Sequence, residues 1–310
     1  MLRVLSTEEQ VQSSRVVFLS GLPRSGSTLL CSLLGAHPRV RAGATSPLHG
    51  LVETLRGAWS DDPTLLAQLD ADLDGVQQRL RRALRAFILA WSADPERPVT
   101  VDKGRGWLFS VELLRELFPD FRLIVCLRDL RDVWASVERQ HRRTLLLAFP
   151  DRTEPNLVDT RAGQLFAPSG LIGAPLRALA NLGDLPDLAP HLYFWRYEDF
   201  AADPAGSLGR LFAWLGLEPV EVDFERLPEA PPESDSHYRF KYPHRAGARF
   251  QPPAREAEEL SPRILAAIAT RFGWYYRAFY APEGFRPAAL RERPALEGGD
   301  GGFGLGLERG

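Results

Sequence analysis

The stretch that most constrains the fold is Val16-Val17-Phe18-Leu19-Ser20-Gly21-Leu22-Pro23-Arg24-Ser25-Gly26-Ser27-Thr28-Leu29-Leu30. Its short apolar run, β-branched at the start, reads as a buried strand. A polar turn follows, and Leu29, Leu30, Leu33 and Leu34 then recur at helical spacing. A strand that enters a helix through so tight a turn aims unpartnered N–H groups and the positive end of the helix dipole at that turn. Gly21, Ser25, Gly26 and Ser27 are small enough for an anion to approach the backbone, and Ser27 and Thr28 add hydroxyl donors. That is phosphate-binding chemistry. Taken alone, the stretch also reads as a Gly/Ser turn without a ligand.

Further strand–helix units follow in the same sense. Val40-Arg41-Ala42 predicts a short strand, Thr45-Ser46-Pro47 a helix start, and Asp61-Asp62-Pro63-Thr64 another. Residues 72–92 form an amphipathic helix with Leu80, Leu84, Phe87, Ile88 and Trp91 on one face. Arg81, Arg82 and Arg85 beside that face read as a solvated flank. A strand ends at Asp102-Lys103, a helix runs from Trp107 to Phe118, and a buried strand over 121–127 enters Arg128-Asp129 and a helix to about 141. Leu192 to Tyr197 is a further strand, followed by a helix from Asp203-Pro204 to Leu215 that ends at Gly216. Ser261-Pro262 opens a last helix through about Tyr276.

The pattern predicts an α/β three-layer sandwich around a mostly parallel sheet, with ligands beyond the carboxyl ends of its strands. Arg24, Lys103 and Arg128 all fall just past such ends. The chain reads as one domain over 1–285. Excursions at 142–188 and 233–253 lie near the acceptor and cofactor site, and 286–310 is a Gly-rich tail without core-forming periodicity.

Composition excludes some partners. Lys+Arg 38 against Asp+Glu 40 gives a net charge of −2, which provides no extended surface for nucleic acid. No apolar run approaches the ~18 residues of a membrane span. The N-terminal residues lack an apolar signal core, so a cytoplasmic chain is expected. Cys31 and Cys126 lie in apolar segments without metal-ligand spacing and read as buried small hydrophobes.

The spacing Gly21-x-x-x-x-Gly26-Ser27-Thr28 is close to that of a nucleotide-triphosphate loop, but Ser27 stands where that loop carries lysine, and a cation stands earlier, at Arg24. Pro23-Arg24-Ser25-Gly26-Ser27-Thr28-Leu29-Leu30 resembles the 5′-phosphosulfate loop of sulfotransferases that use 3′-phosphoadenosine 5′-phosphosulfate (PAPS). Two later pieces fit the same family in order. Arg128 and Ser136 have the eight-residue spacing of its 3′-phosphate site, and Tyr197-Glu198-Asp199-Phe200 resembles its strand end near the adenine.

The resemblance implies a P-loop NTPase-like fold and transfer of a sulfuryl group from PAPS to a hydroxyl or amine, with 3′,5′-ADP as product and no metal. By it, Arg24, Ser25, Gly26, Ser27 and Thr28 hold the 5′-phosphosulfate, Arg128 and Ser136 hold the 3′-phosphate, and Tyr197 lies near the adenine. Lys103 corresponds to the lysine that stabilises the leaving oxygen. A basic loop closes the cofactor site in the family, and Arg239 and Lys241 are its candidates here. A general base is also needed. Cytosolic members carry His two residues after the lysine, where this chain has Arg105; tyrosylprotein members carry Glu after the second strand, where it reads Ala44-Thr45-Ser46. His49 is the candidate left, with Glu53 on the same helical face.

The acceptor, whether small molecule, carbohydrate or peptide, is not encoded in any of these motifs, and neither is the oligomeric state. Trp59, Trp91 and Trp107 read as core or as an acceptor pocket. A P-loop kinase using ATP and magnesium, and an inert nucleotide-binding module, are the alternative functions.

Overall fold

The computed structural model describes residues 15–146, 157–185, 187–227, 249–250, 261–282 and 285–290. Its sheet has five parallel strands in the order β2-β3-β1-β4-β5: β1 Arg15–Gly21, β2 Val40–Ala42, β3 Val99–Lys103, β4 Leu123–Leu127 and β5 Leu192–Arg196. Between and after them lie helices α1 Ser27–Gly35, α2 Leu48–Asp61, α3 Pro63–Ala71, α4 Leu73–Ser92, α5 Val111–Leu117, α6 Leu130–Arg143, α7 Val158–Phe166 and α8 Gly173–Asn181. Then come α9 Tyr197–Ala202, α10 Pro204–Leu215, α11 Pro262–Arg271, α12 Gly273–Phe279 and α13 Pro287–Leu290.

The sheet is buried on both faces, and its strands divide their side chains between two cores with the two-residue period of a pleat. Val16 and Phe18 of β1, with Leu123, Val125 and Leu127 of β4, join a large core built with α2, α4, α6, α8 and the C-terminal helices. Val17, Leu19, Ile124 and Cys126 face the opposite way, onto α1 and α10. The expected three layers follow from that alternation. Both cysteines are free thiols buried in the second core.

Local signals set most helix ends. Asp62, Asp72, Asp129 and Asp203 each accept a backbone N–H in the first turn of the helix they precede. Gly216 ends α10 in the left-handed region, at φ 65°. Elsewhere tertiary contacts decide. The helix expected from Trp107 to Phe118 breaks at Ser110 into a 3-10 turn, Arg105–Phe109, and α5. The cause is the buried Trp107 indole, whose N–H is held by Asp102 at 2.7 Å. The last expected helix likewise divides at Phe272, which is buried under α11 and α12, and Ser261 gives it no side-chain cap. At α2 the acceptor for the first N–H is Ser46, whose hydroxyl takes the Leu48 amide proton.

Several expectations need correction. Trp91 is 46% exposed and lies off the buried stripe of α4, which consists of Val76, Leu84 and Ile88. Within the expected tail, 287–290 are helical and bury Ala289 and Leu290, while 291–310 lie outside the described residues. Most of 157–185 packs into the large core through Leu165, Phe166, Leu176 and Leu179.

The loop after β1 depends on backbone clearance. Gly21 has φ 136°, and a Cβ there would lie 2.2 Å from the Cys126 carbonyl oxygen. Gly57, on the exposed face of α2, has nothing beyond its own helix backbone within 4 Å of such a position. Gly21→Ala is therefore expected to destabilise the protein by about 2 kcal/mol or more. Gly57→Ala should stabilise it by about 0.5–1 kcal/mol. Urea unfolding of both variants checks this, and shifts of the same sign would contradict it.

Candidate functional site

The site forms where β1 passes between β3 and β4. Register places Lys103 beside Leu19 and Cys126 beside Gly21, so the ends of three neighbouring strands open on one crevice. The loop Leu22–Gly26 crosses it. Arg24 has φ 59° and Gly26 φ 86°, both left-handed. For a non-glycine such a conformation costs on the order of 1–3 kcal/mol and is found where the surroundings impose it. Gly26 precedes α1 without any side-chain cap, and the first turn of α1 carries no acidic residue. The positive end of α1 therefore faces the crevice with only hydroxyl side chains, Ser27 and Thr28, at its start.

Two groups of cations approach this loop from opposite sides. On the β3 side, Lys103 Nζ donates to Thr28 Oγ1 at 2.9 Å. On the β4 side, Arg24 Nε donates to Ser136 Oγ at 3.1 Å, and Arg128 Nη1 donates to the Arg24 carbonyl at 3.1 Å. The Arg128 guanidinium lies over the Tyr197 ring, 4.8 Å from its centroid. That ring also covers the loop: a Cβ on Gly26 would meet it at 2.8 Å. Lys103, Arg128 and Ser136 are all buried. Ser25 is used differently, because its buried hydroxyl donates to the Leu22 carbonyl at 2.6 Å and braces the turn from inside.

A cavity of about 760 Å³ lies beside the loop. Its cationic lining is Arg24, Lys103 and Arg105, with Ser27, Thr45 and His49 among its polar groups and Leu51, Val137 and Leu171 on its apolar wall. No carboxylate is among the described residues that line it. Arg128, Ser136 and Tyr197 are not part of that lining, although Arg24, which bonds Ser136, and Val137, which follows it, are. Trp59, Trp91 and Trp107 do not line the cavity, and of the segment 142–188 only Leu171 does so among the described residues. Arg239 and Lys241 lie outside the described residues.

His49 stands at the cavity wall. Its Nε2 is 2.9 Å from Ser110 Oγ, and its ring meets Trp107 edge-on at 5.0 Å. Burial lowers its pKa; Glu53 on the next turn opposes that shift and Arg56 reinforces it. The shift favours the neutral ring, the form that accepts a proton. Asp102 is occupied with the Trp107 indole, and burial raises its pKa.

Sequence reasoning missed the support behind Arg128. Tyr275 donates to the Arg128 carbonyl at 2.9 Å, and Tyr276 donates to Asp129 Oδ1 at 2.9 Å. Glu198 Oε1 accepts the Asp129 N–H at 2.8 Å, while Oε2 accepts the Tyr280 hydroxyl at 2.9 Å. The C-terminal helices thus clamp the end of β4 through a buried polar network. The tyrosines were visible in the sequence as Tyr275-Tyr276 and Tyr280, but nothing local ties them to a turn 147 residues earlier.

The model of the sulfotransferase family matches residues 16–221. Over 135 residues the chain is 34% identical to protein-tyrosine sulfotransferase 2 of Gallus gallus, a match covering 43% of this chain and 35% of that protein. Over 136 residues it is 30% identical to protein-tyrosine sulfotransferase 1 of Homo sapiens, with coverages of 43% and 35%. The chain thus spans about a third of the length of the curated relatives it matches. Among solved structures, the sulfotransferase domain of the Synechococcus PCC 7002 olefin synthase aligns over 90% of this chain and 94% of its own. That alignment has 17% identity and a TM-score of 0.44.

The clamp yields a pH-dependent prediction. Burial raises the Glu198 carboxyl pKa, so the charged form costs stability as pH rises from the unfolded value through the folded one. Tyr280→Phe removes a donor to that carboxylate and should cost about 1–3 kcal/mol. The loss should be larger near pH 8 than near pH 5, where more of the carboxyl is protonated. Urea unfolding at both pH values tests it; equal losses would contradict this account.

Proposed function

The chain belongs to the sulfotransferase family, and from that premise we propose that it transfers a sulfuryl group from PAPS to an acceptor hydroxyl. The observation that carries the reading is the pair of cation groups on opposite sides of one uncapped helix start: Lys103 with Thr28, and Arg128 with Ser136 through Arg24. A nucleotide phosphorylated at both its 3′ and 5′ positions has anions to match both. The donor set fits it, since the described cavity lining carries three cations and no carboxylate.

PAPS bound there would supply the sulfuryl group, with the acceptor oxygen attacking sulfur and the bridging 5′-phosphate oxygen leaving. Lys103 and the amides at the start of α1 stabilise the charge that grows on the departing oxygen. Arg24, Ser27 and Thr28 hold the 5′ end, Arg128 and Ser136 the 3′-phosphate, and Tyr197 packs beside them. His49 takes the acceptor proton. A tyrosyl hydroxyl in a peptide is the acceptor class suggested by the relatives' names. The kinase reading is not favoured, because Ser27 occupies the position of the nucleotide-triphosphate-loop lysine.

Lys103→Ala should lower turnover by about 10²–10³. Arg128→Ala should weaken 3′,5′-ADP far more than 5′-AMP, since a charged hydrogen bond to phosphate is worth ~1.5–3 kcal/mol. Calorimetric titration of the Arg128 variant with the two nucleotides decides its role; equal losses would remove it from the 3′-phosphate site.

A further inference from the structure

We propose that Ser110 fixes the tautomer of His49, so that the proton leaving the acceptor goes to Nδ1. The proposal deepens the sulfuryl-transfer reading and rests on it. Ser110 occupies the N-cap position of α5, where a serine hydroxyl ordinarily accepts a first-turn N–H. Here it makes no such bond. The buried hydroxyl instead lies 2.9 Å from His49 Nε2 and 3.4 Å from Glu53 Oε1. A buried hydroxyl turned away from its own helix end toward an imidazole has been committed to that ring.

The proton inventory is the ground for this assignment. The Glu53 carboxylate can only accept, and it is itself held by Arg56 at 2.8 and 3.1 Å. The Ser110 O–H therefore donates to Glu53, and its lone pair accepts Nε2–H of His49. The acceptor lone pair of the neutral ring is left on Nδ1. The ring has little freedom to turn. Trp107 meets it edge-on, and its face lies on Gly106, where a Cβ would stand 2.0 Å from Nδ1 and 2.4 Å from Cγ. Any side chain at 106 would displace the imidazole.

In the reaction the acceptor O–H bond breaks and its proton passes to Nδ1. The oxygen lone pair forms the new bond to sulfur, and the electron pair of the broken S–O bond remains on the 5′-phosphate oxygen. The resulting imidazolium donates through Nε2 to Ser110 and so to Glu53. The charged groups around the ring are Glu53 and Arg56 on α2, with Arg24, Lys103 and Arg105 on the cavity wall. Of these, Arg56 disfavours the imidazolium and Glu53 favours it, so the relay through Ser110 to Glu53 is the contact that stabilises the charged ring. Ser110 is accordingly a positioning residue.

The test uses the full chain labelled with ¹⁵N-histidine, as wild type, Ser110→Ala, Ser110→Thr and Glu53→Gln. Wild type should give the Nε2–H tautomer of His49 by long-range proton–nitrogen correlation, retained in Ser110→Thr and mixed in Ser110→Ala. With PAPS and a tyrosine peptide, Ser110→Ala should lose about tenfold to a hundredfold in kcat, with little change in the KM for PAPS. Its acid limb should move to lower pH, because the imidazolium loses its acceptor, and Glu53→Gln should move it the same way. Ser110→Ala should melt somewhat below wild type, since it leaves Nε2–H without its acceptor, whereas Ser110→Thr, which keeps the hydroxyl, should melt close to wild type. A wild-type ring protonated on Nδ1, or a Ser110→Ala variant with unchanged tautomer and pH profile, would overturn the proposal. A wild type that shows the Nε2–H tautomer but transfers nothing from PAPS would instead count against the transfer reading and leave the role of Ser110 in place.

Discussion

Everything at this site follows from one helix whose start is aimed, without a side-chain acceptor, into the crevice at the strand ends. The aspartates before α3, α4, α6 and α10 satisfy first-turn amides; α1, like α5 and α11, has no side-chain cap, and it alone of these three follows a left-handed glycine. Two left-handed residues, Arg24 and Gly26, bend the chain so that this bare helix end faces the crevice. Strain of on the order of 1–3 kcal/mol at Arg24 persists because its carbonyl and side chain are both held, by Arg128 and Ser136. The strained loop and the cations around it are a single structure.

That structure explains why distant parts of the chain are required. Arg128 can brace the loop only if the end of β4 is fixed, and the fixing comes from Tyr275, Tyr276 and Tyr280 with Glu198 between them. A buried network of this kind is stable only when each member finds a partner. The C-terminal helices therefore support the anion site as well as covering the large core. On the other side of the loop, Lys103 is placed by strand register, and His49 by Ser110, Trp107 and the absence of a side chain at Gly106.

What the sequence made legible was what local chemistry decides. The strand–turn–helix at 15–35, the Asp-Pro helix starts, Gly216, and the order of Arg24, Lys103 and Arg128 at strand ends all depend on near neighbours. The break at Ser110 was hidden because it arises from the Trp107 indole bonded to Asp102, a contact between elements. Trp91 fits the apolar stripe of α4 by spacing, yet it is 46% exposed while its neighbours Ile88 and Ser92 are fully buried. Ser25 was legible as a loop residue but not as an internal brace, since which way a hydroxyl turns depends on the bend imposed by its neighbours. The tyrosine clamp could not be read at all, because its members meet Arg128 and Asp129 only after the sheet has formed.

The central claim is that two cation groups on either side of one bare helix end are built for a nucleotide charged at both ends. Calorimetric titration of the wild-type chain with 3′,5′-ADP, 5′-AMP and magnesium ATP tests it most directly. The account predicts that 3′,5′-ADP binds without a metal, and at least about tenfold more tightly than 5′-AMP, the discrimination one charged hydrogen bond supplies. Folded protein that ignores 3′,5′-ADP, or that prefers magnesium ATP, would contradict it.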